Sequence, residues 1–172
     1  GYWNDPDATS KTIIDGWVHT GDIGEFDEED YLKITDRKKD IIVNAGGDNI
    51  SPTRIEAKID IEPEIAQSML YGDYKNYLVA VIVPDKDFAL NWAKENGKDQ
   101  KLESIVKDDD FNKLMKEVIN RVNKNLSVIE QVRKFILIDH EFTIENSMMT
   151  VSMKVRRFAV KDKYQEDLEK LY

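Results

Sequence analysis

Asp22 stands in "HTGDIG", between Gly21 and Gly24. A carboxylate flanked by residues without side chains can be approached closely, and its oxygens accept two hydrogen bonds, which suits a sugar diol. The same letters also spell an ordinary turn aspartate. Arg37 lies inside the charged run "TDRKKD", and such runs are usually solvated surface. Gly46 and Gly47 follow a short apolar stretch; a glycine pair closes a hairpin, and it is also what a backbone needs when something must pass close to it. Lys154 sits where "TVSM" meets a helical pattern, beside Arg156 and Arg157. It reads either as surface decoration or as a cation delivered on a loop to neutralise phosphate charge.

The elements that must carry these residues follow from periodicity and punctuation. Residues 1–38 are turn-rich: "GWVHTGDIGEF", the acidic turn "DEED" and "YLKITDR" suggest a hairpin, with Tyr31, Leu32 and Ile34 building one strand. "DIIV" and "NISP" flank the glycine pair, which permits positive φ and a tight reversal. "SPTRIEAKID" carries a helix start, with Ser51 as cap, Pro52 in the first turn, and Ile55 and Ile59 four apart. Two strands, "IAQSMLY" and "YLVAVIV", are separated by "GDYKN"; the second is apolar on both faces and therefore central. "PDKDFALNWAKENG" reads as a helix capped by Asp85 and stopped at Gly97. The spacing of Phe111, Leu114, Met115, Val118, Ile119, Val122 and Leu126 predicts a longer helix over 109–126 with a core-facing stripe. "KFILID" supplies a further strand, "HEFTIENSMMTVSM" an extended polar loop, and "KVRRFAVKDKYQEDLEKLY" a last helix with Val160, Tyr164, Leu168 and Leu171 along one side. This order describes a small α+β domain, with helices packed on a mixed sheet of about three strands.

Bulk properties narrow the function. The chain has 172 residues and a formal net charge of -9, with basic clusters only at Arg37–Lys39 and Lys154–Arg157, so no nucleic-acid partner is expected. The absence of cysteine removes disulfide and thiolate chemistry, and His19 and His140 lie far apart without further ligands at metal-site spacing. The run at 77–83 is far short of the roughly 20 residues that a membrane helix needs. The chain opens on Gly1 without a basic-then-apolar leader, and we expect that the beginning of a longer chain lies upstream.

Taken in order, "GWVHTGD", "YLKITDRKKDIIVNAGGDNISPTRIE" and "TVSMKVRR" resemble the last third of an adenylate-forming (AMP-binding) enzyme. The resemblance covers nearly the whole chain. "GGDNISP", "YLVAVIVPD", the long insertion over 85–130 and the setting of the lysine look most like the long-chain fatty acid CoA ligases, the acyl-CoA synthetases. In two places the pattern departs: Glu29 and Asp30 precede Tyr31 where family members commonly show glycine, and Val151 occupies a place often held by proline.

The resemblance implies two half-reactions, in which a fatty acid attacks ATP to give acyl-AMP and pyrophosphate, and the thiol of coenzyme A then displaces AMP. It implies ATP, Mg2+ and coenzyme A for the complete enzyme, with fatty acid, ATP and CoA held largely by an N-terminal domain outside this chain. Residues 1–38 would be the β-rich end of that large domain, and 39–172 a mobile C-terminal domain. Asp22 matches the aspartate that binds the ribose hydroxyls, Arg37 the arginine that assists it, Lys39 the hinge, and Lys154 the lysine that enters during adenylation. The hairpin at Gly46 and Gly47 matches the segment that lines the CoA channel in the second pose. No glycine-rich Ser/Thr phosphate loop is present, so the fragment alone is expected to be silent. The resemblance places the enzyme in the cytoplasm and allows peripheral contact with the inner membrane face, although no basic amphipathic helix demands it. Three alternatives stay open: a stand-alone binding or regulatory module with the same fold, an aryl-acid CoA ligase, and an adenylation domain serving a carrier protein.

Overall fold

Turn residues and short apolar runs shape the first of the two units into which the chain divides, Gly1–Ile41 and Ile42–Tyr172. The computed structural model describes residues 1–172. A short helix, α1 (Pro6–Thr12), begins because the Asp5 side chain accepts from Ala8 N–H and Pro6 occupies the first turn, where its missing N–H costs nothing. Turn and strand signals alone do not predict this helix; it buries no residue and has no apolar stripe to reveal it. Strands β1 (Ile13–Ile14) and β2 (Trp17–Val18) form a small ribbon. The expected hairpin follows as β3 (Asp22–Phe26) and β4 (Leu32–Arg37), antiparallel from Asp22↔Arg37 to Phe26↔Leu32, with a bulge between Ile23 and Gly24. Its turn is made without glycine: Asp27 Oδ1 accepts from the N–H groups of Glu29 and Tyr31 at 3.0 Å each, and Asp30 takes the left-handed φ of 63°. Aspartate tolerates that region better than most residues.

The second unit opens with a ribbon of two strands, β5 (Ile42–Val43) and β6 (Asn49–Ile50), followed by α2 (Pro52–Ile59). Then come β7 (Ile65–Tyr71), β8 (Leu78–Pro84), α3 (Lys86–Glu95), α4 (Leu102–Ile105), α5 (Asp109–Asn123), a 3-10 turn at Val128–Glu130, β9 (Val132–Leu137) and α6 (Arg157–Glu169). The sheet order is β7-β8-β9, with β7 antiparallel and β9 parallel to β8. This is the mixed three-stranded sheet of an α+β domain, and the doubly apolar β8 is its central strand.

Alternation along β8 explains the layers. Leu78, Ala80 and Ile82 join Ile55, Ile59, Ala89, Ala93, Phe111, Met115 and Val118 on one side. Val79, Val81 and Val83 join Met69, Val160, Tyr164 and Leu168 on the other, as a period of two requires. The segment expected as an extended polar loop before α6 is partly core: Phe142, Met148 and Met149 are buried with that second group. Polar letters outnumber these anchors, so composition concealed them. No helix is long and apolar enough to cross a membrane.

Candidate functional site

Asp22 and Arg37 meet because they are paired across β3 and β4. Arg37 Nε lies 2.9 Å from Asp22 Oδ1, and its Nη2 donates to Thr20 O at 3.4 Å. Gly21, at φ 74°, turns the chain so that its carbonyl accepts from Lys38 N–H at 2.8 Å. The arginine side chain is 53% exposed; an ion pair so wet is worth about 0–1 kcal/mol. Stability is therefore a poor account of it. Its effect is to fix one carboxylate oxygen while the other remains able to accept.

Lys39 lies in the exposed turn that ends this unit. Arg37 O accepts from Asp40 N–H at 2.9 Å and from Ile41 N–H at 3.2 Å. Beyond this turn, β5 and β6 carry Gly46 and Gly47. Only Gly47 uses positive φ, at 85°, so the pair is not symmetric as the sequence suggested. A Cβ on Gly47 would meet nothing within 4 Å, whereas one on Gly46 would stand 3.3 Å from both Asn44 Oδ1 and Asp48 Oδ2. Those two side chains staple the bend, Asn44 Nδ2 donating to Asp48 Oδ2 and Asp48 N–H to Asn44 Oδ1, both at 2.9 Å. The result is a braced turn with a bare, open flank.

Lys154 is carried on a tight return rather than a loose loop. Thr150 N–H donates to Lys154 O at 2.8 Å, Lys154 N–H donates to Thr150 Oγ1 at 3.0 Å, and Met149 bridges Val155. Met153 adopts φ 59° to close it. Arg156 N–H reaches Met148 O at 2.7 Å, tying the return to the buried methionines. Lys154 is exposed, and its ammonium takes part in none of the ion pairs of the second unit.

The sequence reading missed a pair that anchors this return. Arg157, the first residue of α6, binds Glu56 of α2 with both terminal nitrogens; Nη1 lies 2.6 Å from Oε1, and Nη2 bonds Oε2. Glu56 Oε1 also accepts from Leu70 N–H at 2.6 Å. Glu56 interrupts the apolar face of α2 at a buried position, and that was the available signal, but nothing local names a partner 101 residues away. Elsewhere, His140 joins a smaller cluster, with Nδ1 2.7 Å from Asp139 Oδ1 and Nε2 2.8 Å from Tyr164 Oη. The His140 bond holds the Asp139 carboxyl below its ordinary value, and burial pushes the Tyr164 phenol up to about 12. Asp22 and Arg37 thus stand together in the first unit, while the glycine bend and Lys154 both belong to the second.

Residues 39–172 match the family described as AMP-binding enzyme C-terminal domain. The chain belongs to that family. This AMP-binding C-terminal domain is 35% identical over 174 residues to the long-chain-fatty-acid–CoA ligase FadD15 of Mycobacterium tuberculosis, covering 100% of this chain and 29% of the relative. It is 34% identical over 176 residues to long-chain-fatty-acid–CoA ligase 1 of Cavia porcellus, covering 100% of this chain and 25% of that protein. Among solved structures, the adenylation domain of a carboxylate reductase from Mycobacterium chelonae matches with a TM-score of 0.86 and 29% identity, over 100% of this chain and 26% of that one. The AMP-binding C-terminal domain therefore spans between a quarter and a third of the length of these relatives.

Proposed function

We propose that the chain is the C-terminal portion of an ATP-dependent acyl-CoA synthetase, which activates a fatty acid as acyl-AMP and transfers the acyl group to coenzyme A. The ligase names of the similar proteins support this reading. The observation that carries it is Lys154: an exposed ammonium outside the ion pairs of its unit, held at the end of a stapled return. In the first half-reaction a fatty acid carboxylate oxygen bonds to the α-phosphorus of ATP as the bond to pyrophosphate breaks. Lys154 stabilises the charge that develops on the phosphate oxygens. Asp22 accepts from the ribose hydroxyls, and Arg37 keeps its carboxylate aimed.

In the second half-reaction the thiol sulfur bonds to the acyl carbon, AMP leaves with the electrons of the broken C–O bond, and the thiol proton passes to solvent. The open flank of Gly47 is the surface past which the narrow thiol arm slides. Lys39 is the pivot between 1–38, the end of the large domain, and 39–172, the mobile one; the family match beginning at residue 39 supports that boundary. Mg2+ accompanies ATP in the complete enzyme; no three acidic or histidine side chains of this chain converge to hold it. Without the remaining ATP and acyl pocket the chain itself is inactive.

The test is Lys154→Ala in a full-length enzyme carrying this segment. Acyl-adenylate formation, followed by pyrophosphate exchange, should fall about 100- to 1000-fold, while thioester formation from supplied acyl-adenylate changes far less. Equal loss of both rates sinks the assignment of Lys154. Steady acyl-CoA synthesis by the isolated chain would sink the claim of inactivity. A second reading has a specific support, the similarity to a carboxylate reductase adenylation domain: the accepting thiol would be the pantetheine of a carrier protein. Offering the full-length enzyme free CoA and a pantetheinylated carrier in parallel separates the two.

A further inference from the structure

The glycine bend stands on a ladder of only two residues per strand, too short to hold a hairpin by itself. The Asn44 and Asp48 staple braces the tip, and the burial of Ile42 and Ile50 roots the base. Neither fixes the direction in which the bend points. A third support does, and it comes from the turn between β7 and β8. Val43 N–H donates to Asp73 Oδ1 at 3.1 Å, Val43 O accepts from Tyr74 N–H at 2.7 Å, and Ala45 N–H donates to Lys75 O at 3.0 Å. The outer edge of β5 is thus covered by this turn in place of a third strand.

The turn is itself held tightly. A Cβ on Gly72 would lie 2.6 Å from Leu78 Cδ2, so a larger residue there would have to displace that buried methyl. Glu169 of α6 grips the turn from both ends, with Oε1 accepting from Tyr71 Oη at 2.7 Å and Oε2 lying 2.6 Å from Lys75 Nζ. We infer that Asp73 is a positioning residue for the second half-reaction: its carboxylate aims the glycine bend that the thiol arm must pass. This rests on the role given to that bend above. Displacement of a positioned backbone by about 1 Å costs on the order of 100-fold in rate, and Asp73 contributes the one side-chain bond among the three that tie residues 43–45 to this turn. The other two are backbone to backbone and survive substitution.

The experiment compares Asp73→Ala with Asp73→Asn, which keeps an acceptor oxygen. In hydrogen exchange on the 172-residue chain, the Val43 amide of Asp73→Ala should lose protection by on the order of tenfold, with β7, β8 and β9 unchanged. In the full-length enzyme, Asp73→Ala should slow thioester formation from supplied acyl-adenylate by about 10- to 100-fold and leave adenylate formation within about twofold; Asp73→Asn should restore most of both losses. Unchanged protection at Val43, or equal slowing of the two half-reactions with the sheet intact, overturns the inference. If Asp73→Ala unfolds the sheet, Asp73→Ser, polar but too short to reach Val43, takes its place under the same criteria. Gly47→Val separates this inference from the reading beneath it. If Gly47→Val leaves thioester formation untouched, the role of the bend is wrong; if it slows that step and Asp73→Ala does not, the role of Asp73 is wrong.

Discussion

Removal of Glu56 should destabilise the second unit more than any exposed ion pair could. The carboxylate accepts both terminal nitrogens of Arg157 and the N–H of Leu70, and the two side chains are only 20% and 10% exposed. For a wet pair the loss would be about 0–1 kcal/mol; for a buried pair deprived of one partner it is about 3–5 kcal/mol. Glu56→Ala should therefore lower the melting temperature by about 6 to 20 °C, taking about 2–4 °C per kcal/mol for a chain of this size. Arg157→Ala should cost a comparable amount. The double variant should cost less than the sum by more than about 1 kcal/mol, since no buried charge is left unanswered. Urea unfolding of the four proteins, followed by circular dichroism, measures this cycle. Single variants within about 1 kcal/mol of the parent, or strict additivity, would refute the claim that the pair is a clamp. Because Arg157 opens α6 just after Lys154, the same variants in a full-length enzyme should slow adenylation more than thioester formation.

Two further outcomes are expected. The Asp60 carboxyl is pushed up to about 6, first by desolvation, against a bond from Ser68 and with a further push from Glu56; although the residue as a whole is exposed, this oxygen lies 2.6 Å from Ser68 Oγ. A raised folded pKa means that the folded state holds the proton more tightly, so the contribution is full below about 3.8 and is lost as pH rises through about 6. Asp60→Asn should then gain urea stability over the parent at pH 7 and little at pH 4, and a gain independent of pH would reject the argument. Gly47→Ala meets no steric obstacle but must adopt φ 85°, which costs an L-residue about 1–2 kcal/mol; calorimetry should show that loss, with Gly47→Asn closer to the parent.

Local rules were sufficient wherever a pattern repeats within a few residues. The stripe of α5, the doubly apolar β8, the Asp85 cap that accepts from Phe88 N–H, and the Gly97 stop at φ 64° are all written in the chain. So is the hairpin that pairs Asp22 with Arg37, because its two strands are neighbours in sequence. The motif order pointed to the family for a related reason: groups on short, rigid elements keep their letters close together.

What the chain alone leaves undecided depends on partners far apart in sequence. A buried glutamate on α2 is an anomaly until Arg157 is seen to answer it, and Asp73 is a turn residue until Val43 donates to it. Equally, "MM" in a polar stretch looks like loop until β7 and β8 offer a surface on which Met148 and Met149 are buried. The amino-acid order by itself determined the longer helices and strands, though not α1, and which residues could do chemistry, since propensity and periodicity act over one or two turns. The tertiary structure decided how the lysine return and the glycine bend are braced, because a hydrogen bond between distant residues exists only after the chain has closed the loop between them.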